Sequence, residues 1–223
     1  MTVTLLAVVG LAREARIVKR AGLVPVIGAG NSRLLTRRLS AAPPDLAGVV
    51  SFGIAGALAP LLEVGDTVIA THVVTDREHY ACDAAWSRVL RTKLPEAQSA
   101  VIAGVDAPAG HIGAKKDLFR ETGAHAVDME SHIAARFALD RGVPFVVIRV
   151  ISDRAGRTLP PAALERLRWS GKPRIFAVLR SLIREPRQVP ELFQTAREAS
   201  VAFRALLRCR DILGPGLGCP YLG

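Results

Sequence analysis

The chain has 223 residues, a formal net charge of +10 and an apolar half. That length and composition suffice for one large domain with its own core, and they exclude a disordered chain. The basic balance points to phosphate-bearing substrates, anionic lipid or nucleic acid, or simply to an arginine-rich surface.

In chain order, Thr2 to Val9 predicts a first strand, ended by Gly10, and Leu11 to Arg20 a helix with Glu14 near its start. Val24 to Ile27 predicts a second strand delivering the chain to Gly28-Ala29-Gly30, with a helix to Leu39 and a break at Pro43-Pro44. Gly48 to Phe52 reads as a third strand running into a turn, Gly53-Ile54-Ala55-Gly56. Val64-Gly65-Asp66 reads as a turn before a strand from Thr67 to Val74. The polar stretch Arg77 to Glu96 is helical after Asp83. Ala100 to Val105 predicts a short strand, Ala114 to Thr122 a helix, Ala124 to Asp128 a brief strand and Met129 to Arg141 a helix.

The apolar, β-branched run from Val143 to Ile151 predicts a strand buried on both faces, with Ser152-Asp153 just past its carboxyl end. Helices are predicted over Pro160–Trp169, Arg174–Ile183 and Glu191–Ile212, with a loose tail from Gly214 to Gly223. Strands alternating with helices imply a largely parallel sheet flanked by helices, and no linker divides residues 1–213 into two domains.

Cys82, Cys209 and Cys219 are odd in number and lack a CxxC pair, which argues for a reducing compartment without a disulfide framework. The five histidines show no HExxH spacing, so no metal site is expected. His111 is a candidate for lining a pocket. The amino terminus lacks a basic region typical of a signal peptide. The uncharged span Leu46 to Leu62 is punctuated by Gly48, Gly53, Gly56 and Pro60, so it reads as strand and turn. A soluble cytoplasmic protein is the expectation. No nucleic-acid-binding signature is present, and aromatic residues for stacking are few. The segment Arg174 to Arg184, RIFAVLRSLIR, sets arginines beside an apolar stripe and is a candidate for contact with an anionic membrane surface. A helix covering the sheet with a solvated basic edge is the simpler reading.

Gly28-Ala29-Gly30 invites a dinucleotide reading, but Arg33 stands where GxGxxG needs its third glycine. Gly28, Gly30 and Arg33 remain candidates for holding an anion or a ribose. Asp128 and Glu130 lie at a helix start, where carboxylates are electrostatically favoured and where a cap is the plain alternative. Asp153, after so apolar a strand, is a candidate for a raised pKa and proton donation, with an N-cap as the plain alternative.

AVDMES followed by VPFVVIRVISD resembles the nucleoside phosphorylase/nucleosidase superfamily, whose best-known relatives here are the bacterial methylthioadenosine/S-adenosylhomocysteine nucleosidases. The resemblance extends to GLAREA near the amino terminus, GAG at Gly28–Gly30, FGIAGALAP at Phe52–Pro60 and VGDTVIA at Val64–Ala70. More narrowly, the length and GLAREARI are similar to the hopanoid-associated phosphorylases, thought to act on adenosylhopane. The resemblance implies an α/β three-layer sandwich with a mixed, mainly parallel central sheet wrapped by helices.

It also implies cleavage of the N-glycosidic bond of a purine, adenine-type nucleoside without metal or organic cofactor, phosphate remaining open as a co-substrate. By the same token Asp153 acts on N7 of the departing purine, with Ser152 beside it. Met129 and Glu130 bind the ribose, Glu14 activates the attacking water, and Gly53, Ala55 and Gly56 lie beneath base and sugar. A homo-oligomer is implied as well.

Two departures, at Ser51 and Pro108, bear on the acceptor and the base. Phosphorylases place an arginine where this chain has Ser51, and Glu14 favours water. Arg13 and Arg33, near the glycine turns, keep phosphate open. Pro108, after Asp106-Ala107, stands where the nucleosidases carry a stacking Phe. A nucleosidase of general adenine thio-nucleosides and a non-catalytic nucleoside binder are the alternatives.

Overall fold

The computed structural model describes residues 4–160 and 189–222, and the predicted helices within 161–188, with the Arg174–Arg184 segment, lie outside them. Eight strands are described: β1 (Thr4–Val9), β2 (Val24–Ile27), β3 (Leu46–Ala57), β4 (Thr67–Val74), β5 (His79–Ala81), β6 (Gln98–Gly104), β7 (Ala126–Asp128) and β8 (Phe145–Asp153). The helices are α1 (Ala12–Lys19), α2 (Ser32–Ser40), α3 (Ala84–Lys93), α4 (Ile112–Thr122), α5 (Ser131–Arg141) and α6 (Val189–Leu213).

Period-two alternation builds the layers. Leu5, Ala7 and Val9 of β1 face one way, into a core shared with Ala15, Ile17 and Val18 of α1, Trp86 and Leu90 of α3 and Leu206 of α6. Leu6 and Val8 face the other way, toward Leu35 and Leu39 of α2 and Ala134, Ala135 and Ala138 of α5. The sheet is therefore covered on both faces, which removes apolar surface from water on each.

Pairing is parallel for β1–β2, β1–β3, β3–β8, β4–β6 and β6–β7, and antiparallel for β3–β7, β4–β5 and β4–β8. The expected mixed, mainly parallel sheet is borne out. It also closes on itself: β3, β8, β4, β6 and β7 form a ring, and β1, β2 and β5 extend it.

Two local expectations are corrected. Gly53 to Gly56 is not a turn: β3 runs through it, pairing Gly53 with Arg149 and Gly56 with both Asp153 and Val127. The segment after α6, expected to be loose, is docked through residue 222. Leu217 is fully buried, its carbonyl accepts from Trp86 Nε1 at 3.0 Å, and the Tyr221 hydroxyl lies 3.0 Å from the Asp83 carboxylate. Gly214, Gly216 and Gly218, all at positive φ, allow the chain to double back there. Strand β5 was hidden in a stretch too polar to signal one. No helix of the described residues is long and apolar enough to cross a membrane.

Candidate active site

The predicted residues arrive from separate elements at one end of the sheet. Parallel strands β1, β2, β3 and β8 all end there, bringing Gly10, Gly28, Gly56 and Asp153 to a shared rim, where open α/β sheets hold ligands.

Glu14, in the first turn of α1, is buried. Its bond back to Leu11 N–H, 2.7 Å, is an ordinary helix-start contact. Two further bonds exceed a cap: Oε2 also accepts from Gly10 N–H at 2.8 Å, and Oε1 accepts from Ile54 N–H of β3 at 2.9 Å. Oε2 thus uses both lone pairs on backbone, leaving Oε1 one for a further donor. Burial pushes the Glu14 pKa up, against the pull of Arg149 and these three N–H groups.

Glu130, between β7 and α5, lies against the glycine turns. A Cβ on Gly28 would stand 2.8 Å from Glu130 Cγ, and one on Gly10 would stand 3.0 Å from Oε1. Burial raises the Glu130 pKa to about 7, Arg149 opposes this, and Asp128 and Glu14 add to it. A carboxylate poised there exchanges its proton near neutrality.

Beneath both lies Arg149, which the sequence reading did not single out. It stands on β8 directly opposite Gly53, fully buried, with Nε 2.8 Å from Asp128 Oδ2 and Nη2 2.7 Å from Ser51 Oγ. Ser131 Oγ lies 3.2 Å from Nη2, and Glu130 Oε2 lies 3.9 Å away. Burial works against the guanidinium charge, and Asp128, Glu130 and Glu14 outweigh it, so its pKa is raised. The side chain at Gly53 had to be absent: a Cβ there would stand 2.5 Å from Arg149 Nη1 and 2.6 Å from Glu14 Oε1.

Both oxygens of Asp128 are engaged within the chain. Its Oδ1 accepts from Glu130 N–H at 2.9 Å and Ser131 N–H at 2.7 Å, and its Oδ2 holds Arg149 and Ser131 Oγ. It caps the start of α5, the plain alternative for it, and anchors Arg149. Met129 is half-buried beside it.

Asp153 is buried at the end of β8, where a Cβ on Gly56 would stand 3.2 Å from its Oδ2. Lys115 of α4 places Nζ 2.5 Å from Asp153 Oδ2. Ser152 Oγ lies 2.8 Å from Oδ1 and 3.1 Å from the Ala55 carbonyl.

The expected anion site is also corrected. Arg33 is exposed, and Arg13 stacks 4.1 Å over the Phe203 ring. The glycine turn is covered by Glu130, and its Gly28 and Ala29 N–H groups donate to the Val9 and Gly10 carbonyls. His111 is exposed at the start of α4. Among the described residues, no group of three or more His, Cys, Asp or Glu is placed to hold a metal ion.

Two buried carboxylic groups raised toward neutrality on one side, and an acid–lysine pair on the other, suit a reaction that separates charge between two fragments of a ligand. The profile of the Phosphorylase superfamily matches residues 8–184, and the chain belongs to that superfamily. It is similar to the 5′-methylthioadenosine/S-adenosylhomocysteine nucleosidase of Marinomonas sp., with 32% identity over 149 residues, covering 54% of this chain and 62% of the relative. The same enzyme of Anoxybacillus flavithermus is 30% identical over 165 residues, 62% of this chain and 67% of the relative. The chain thus spans only about two thirds of the length of these relatives.

Among solved structures, a Helicobacter pylori MTAN carrying 5′-methylthioadenosine in its active site matches with a TM-score of 0.67. That match covers 96% of this chain and 99% of the other at 15% identity. The futalosine hydrolase of the same organism matches at 0.63, covering 92% and 96% at 18% identity. At such identities the likeness establishes the fold.

Proposed function

We propose that this protein cleaves the N-glycosidic bond of an adenine nucleoside and that water is the acceptor. One observation carries the choice of water. The backbone donors that would receive a phosphate, at Gly10, Leu11 and Ile54, are already taken by the Glu14 carboxylate, with Glu130 against Gly10 and Gly28 beside it. A phosphate dianion brought there would meet two carboxylic groups and compete with both. Arg149, whose guanidinium bonds Ser51 Oγ, is matched by three carboxylic groups of the chain.

As the C1′–N9 bond breaks, positive charge grows on the ribose and negative charge on the purine. Glu130 accepts hydrogen bonds from the sugar hydroxyls and stabilises the first, beside Met129. Asp153, steadied by Ser152, delivers a proton to N7 and relieves the second. The open lone pair of Glu14 Oε1 takes a proton from the attacking water. Ala55 and Gly56 give the flat base a floor without side-chain bulk. Ionisation of Glu130 near neutrality predicts that kcat/KM rises with pH through about 7.

The 5′ substituent is read as a hopane chain, making adenosylhopane the substrate. The GLAREARI resemblance supports this, and so does Pro108 in place of an aromatic residue. Membrane contact through Arg174–Arg184 would then bring the enzyme to a bilayer-held substrate in the cytoplasm. A homo-oligomer goes with the same family reading. A general adenine thio-nucleoside is the second reading, supported by the names of the relatives.

The test is incubation with adenosine, 5′-methylthioadenosine and analogues bearing large apolar 5′ groups, with and without phosphate. Free sugar formed at a rate indifferent to phosphate is expected. Sugar 1-phosphate would overturn the choice of water, and no adenine release at all would leave a nucleoside-binding protein.

A further inference from the structure

Lys115 is the second buried cation at this rim. Lys115 and Lys116 are neighbours on α4, yet Lys116 is exposed and Lys115 is 1% exposed. A fully buried lysine is rare and needs partners. Nζ has two: Asp153 Oδ2 at 2.5 Å and the Arg154 carbonyl at 2.7 Å. Its third N–H meets no protein acceptor among the described residues.

Among the described residues, no other charged group shares the pair. Lys116, Asp117 and His111 on and before α4 are exposed. Arg154, next along from Asp153, is ion-paired outward with Glu63. Ala55 and Gly56 of β3 and Val127 of β7, packed beside it, are uncharged.

The hydrogen bonds around Asp153 accommodate two proton arrangements. Ser152 has one hydroxyl hydrogen and two acceptors in reach, Asp153 Oδ1 and the Ala55 carbonyl. With Asp153 ionised, the hydroxyl donates to Oδ1. With Asp153 protonated on Oδ1, the hydroxyl turns to the Ala55 carbonyl and its oxygen accepts from Asp153. A carboxyl held between a rotatable hydroxyl and a buried ammonium can pass a proton on and be reloaded.

Resting on the nucleosidase reading above, we infer that Lys115 is a positioning residue that reloads Asp153, so that the pair together supplies the proton taken up by the departing purine. The C1′–N9 bond breaks with its electron pair on the purine. The one proton of the pair passes from Lys115 Nζ through Asp153 to N7, leaving the Asp153 carboxylate and a neutral amine. The attacking water gives its proton to Glu14, and solvent returns Glu14 and the neutral amine to their starting states as products leave.

Three enzymes measured for adenine release between pH 5.5 and 9.5 decide this. The wild type is expected to keep its turnover above neutral pH, with an ammonium standing behind Asp153 as the proton source. In Lys115→Met no ammonium stands behind Asp153, so the alkaline limb of turnover moves down by about one pH unit or more. In Lys115→Arg the charge remains but releases no proton, and turnover falls about 10²-fold or more at every pH.

A strut or a simple charge partner behaves otherwise. Lys115→Arg would match the wild type, or Lys115→Met would lose activity equally at all pH, and either result overturns the inference. Circular dichroism and adenine binding check that each variant is folded. Wild-type turnover that already falls just above pH 7 overturns it without any variant. Absence of adenine release by the wild type is a different failure, that of the nucleosidase reading itself.

Discussion

Gly53 shows how narrowly single residues define this site. Gly53→Ala places a methyl group 2.5 Å from Arg149 Nη1 and 2.6 Å from Glu14 Oε1, both buried and both bonded elsewhere. We expect a loss of about 1–3 kcal/mol in denaturant unfolding, with activity lost beyond what instability explains. Asp153→Asn keeps the shape but not the proton, so turnover should fall by ~10²–10⁴ while adenine still binds; unchanged turnover would remove Asp153 from the mechanism. Glu130 carries a stability signature. Its folded pKa is raised from 4.5 to about 7 by burial, so the folded protein holds a proton that the unfolded chain has lost. Stability therefore falls as pH rises through that window, by roughly 3 kcal/mol at most at about 1.4 kcal/mol per unit. Glu130→Gln should flatten the slope, being more stable than the wild type at pH 8 and inactive. Melting temperatures at pH 5 and pH 8 would show it.

At the scale of elements, the terminal segment reaches back to the core. The turn Pro215–Gly218 seats Leu217 against α3, and Trp86 bonds its carbonyl. Leu217→Ala should cost about 2–5 kcal/mol, and Trp86→Phe about 1 kcal/mol, read as shifts of the denaturation midpoint. The alternating and apolar segments were legible in the sequence, because burial on one or both faces of a sheet leaves a period that survives without the partner. The docked tail was not, since Gly and Pro look alike in a loose end and in a tight turn. Gly53–Gly56 was taken for a turn for the same reason; what demanded glycine was a guanidinium arriving from a distant strand. Glu14, Glu130 and Asp153 were legible as acids beside strand ends. Arg149 had a signal that was available: a lone cation inside VVIRVIS has to be paired. Lys115 had none, because nothing in AKKDLFRET separates it from Lys116.

On the scale of the whole molecule, the sheet is closed by its last described strand. β8 enters between β3 and β4, pairing Val49 with Phe145 and Ile69 with Ile148, while β1, β2 and β3 are neighbours earlier in the chain. That insertion has a kinetic meaning. Joining segments so far apart along the chain is slow compared with forming the helices, because the intervening loop must close before the pairing is rewarded. Asp153 and Arg149 both ride on β8, so a molecule that has not yet admitted this strand has neither the base-side acid nor the cation that gathers the carboxylates. Refolding from denaturant should return the helical circular-dichroism signal first and adenine release later. If the two recover together, β8 is already in place when the helices form. If the helical signal returns first, the position of one strand ties the proposed activity to the final step of folding.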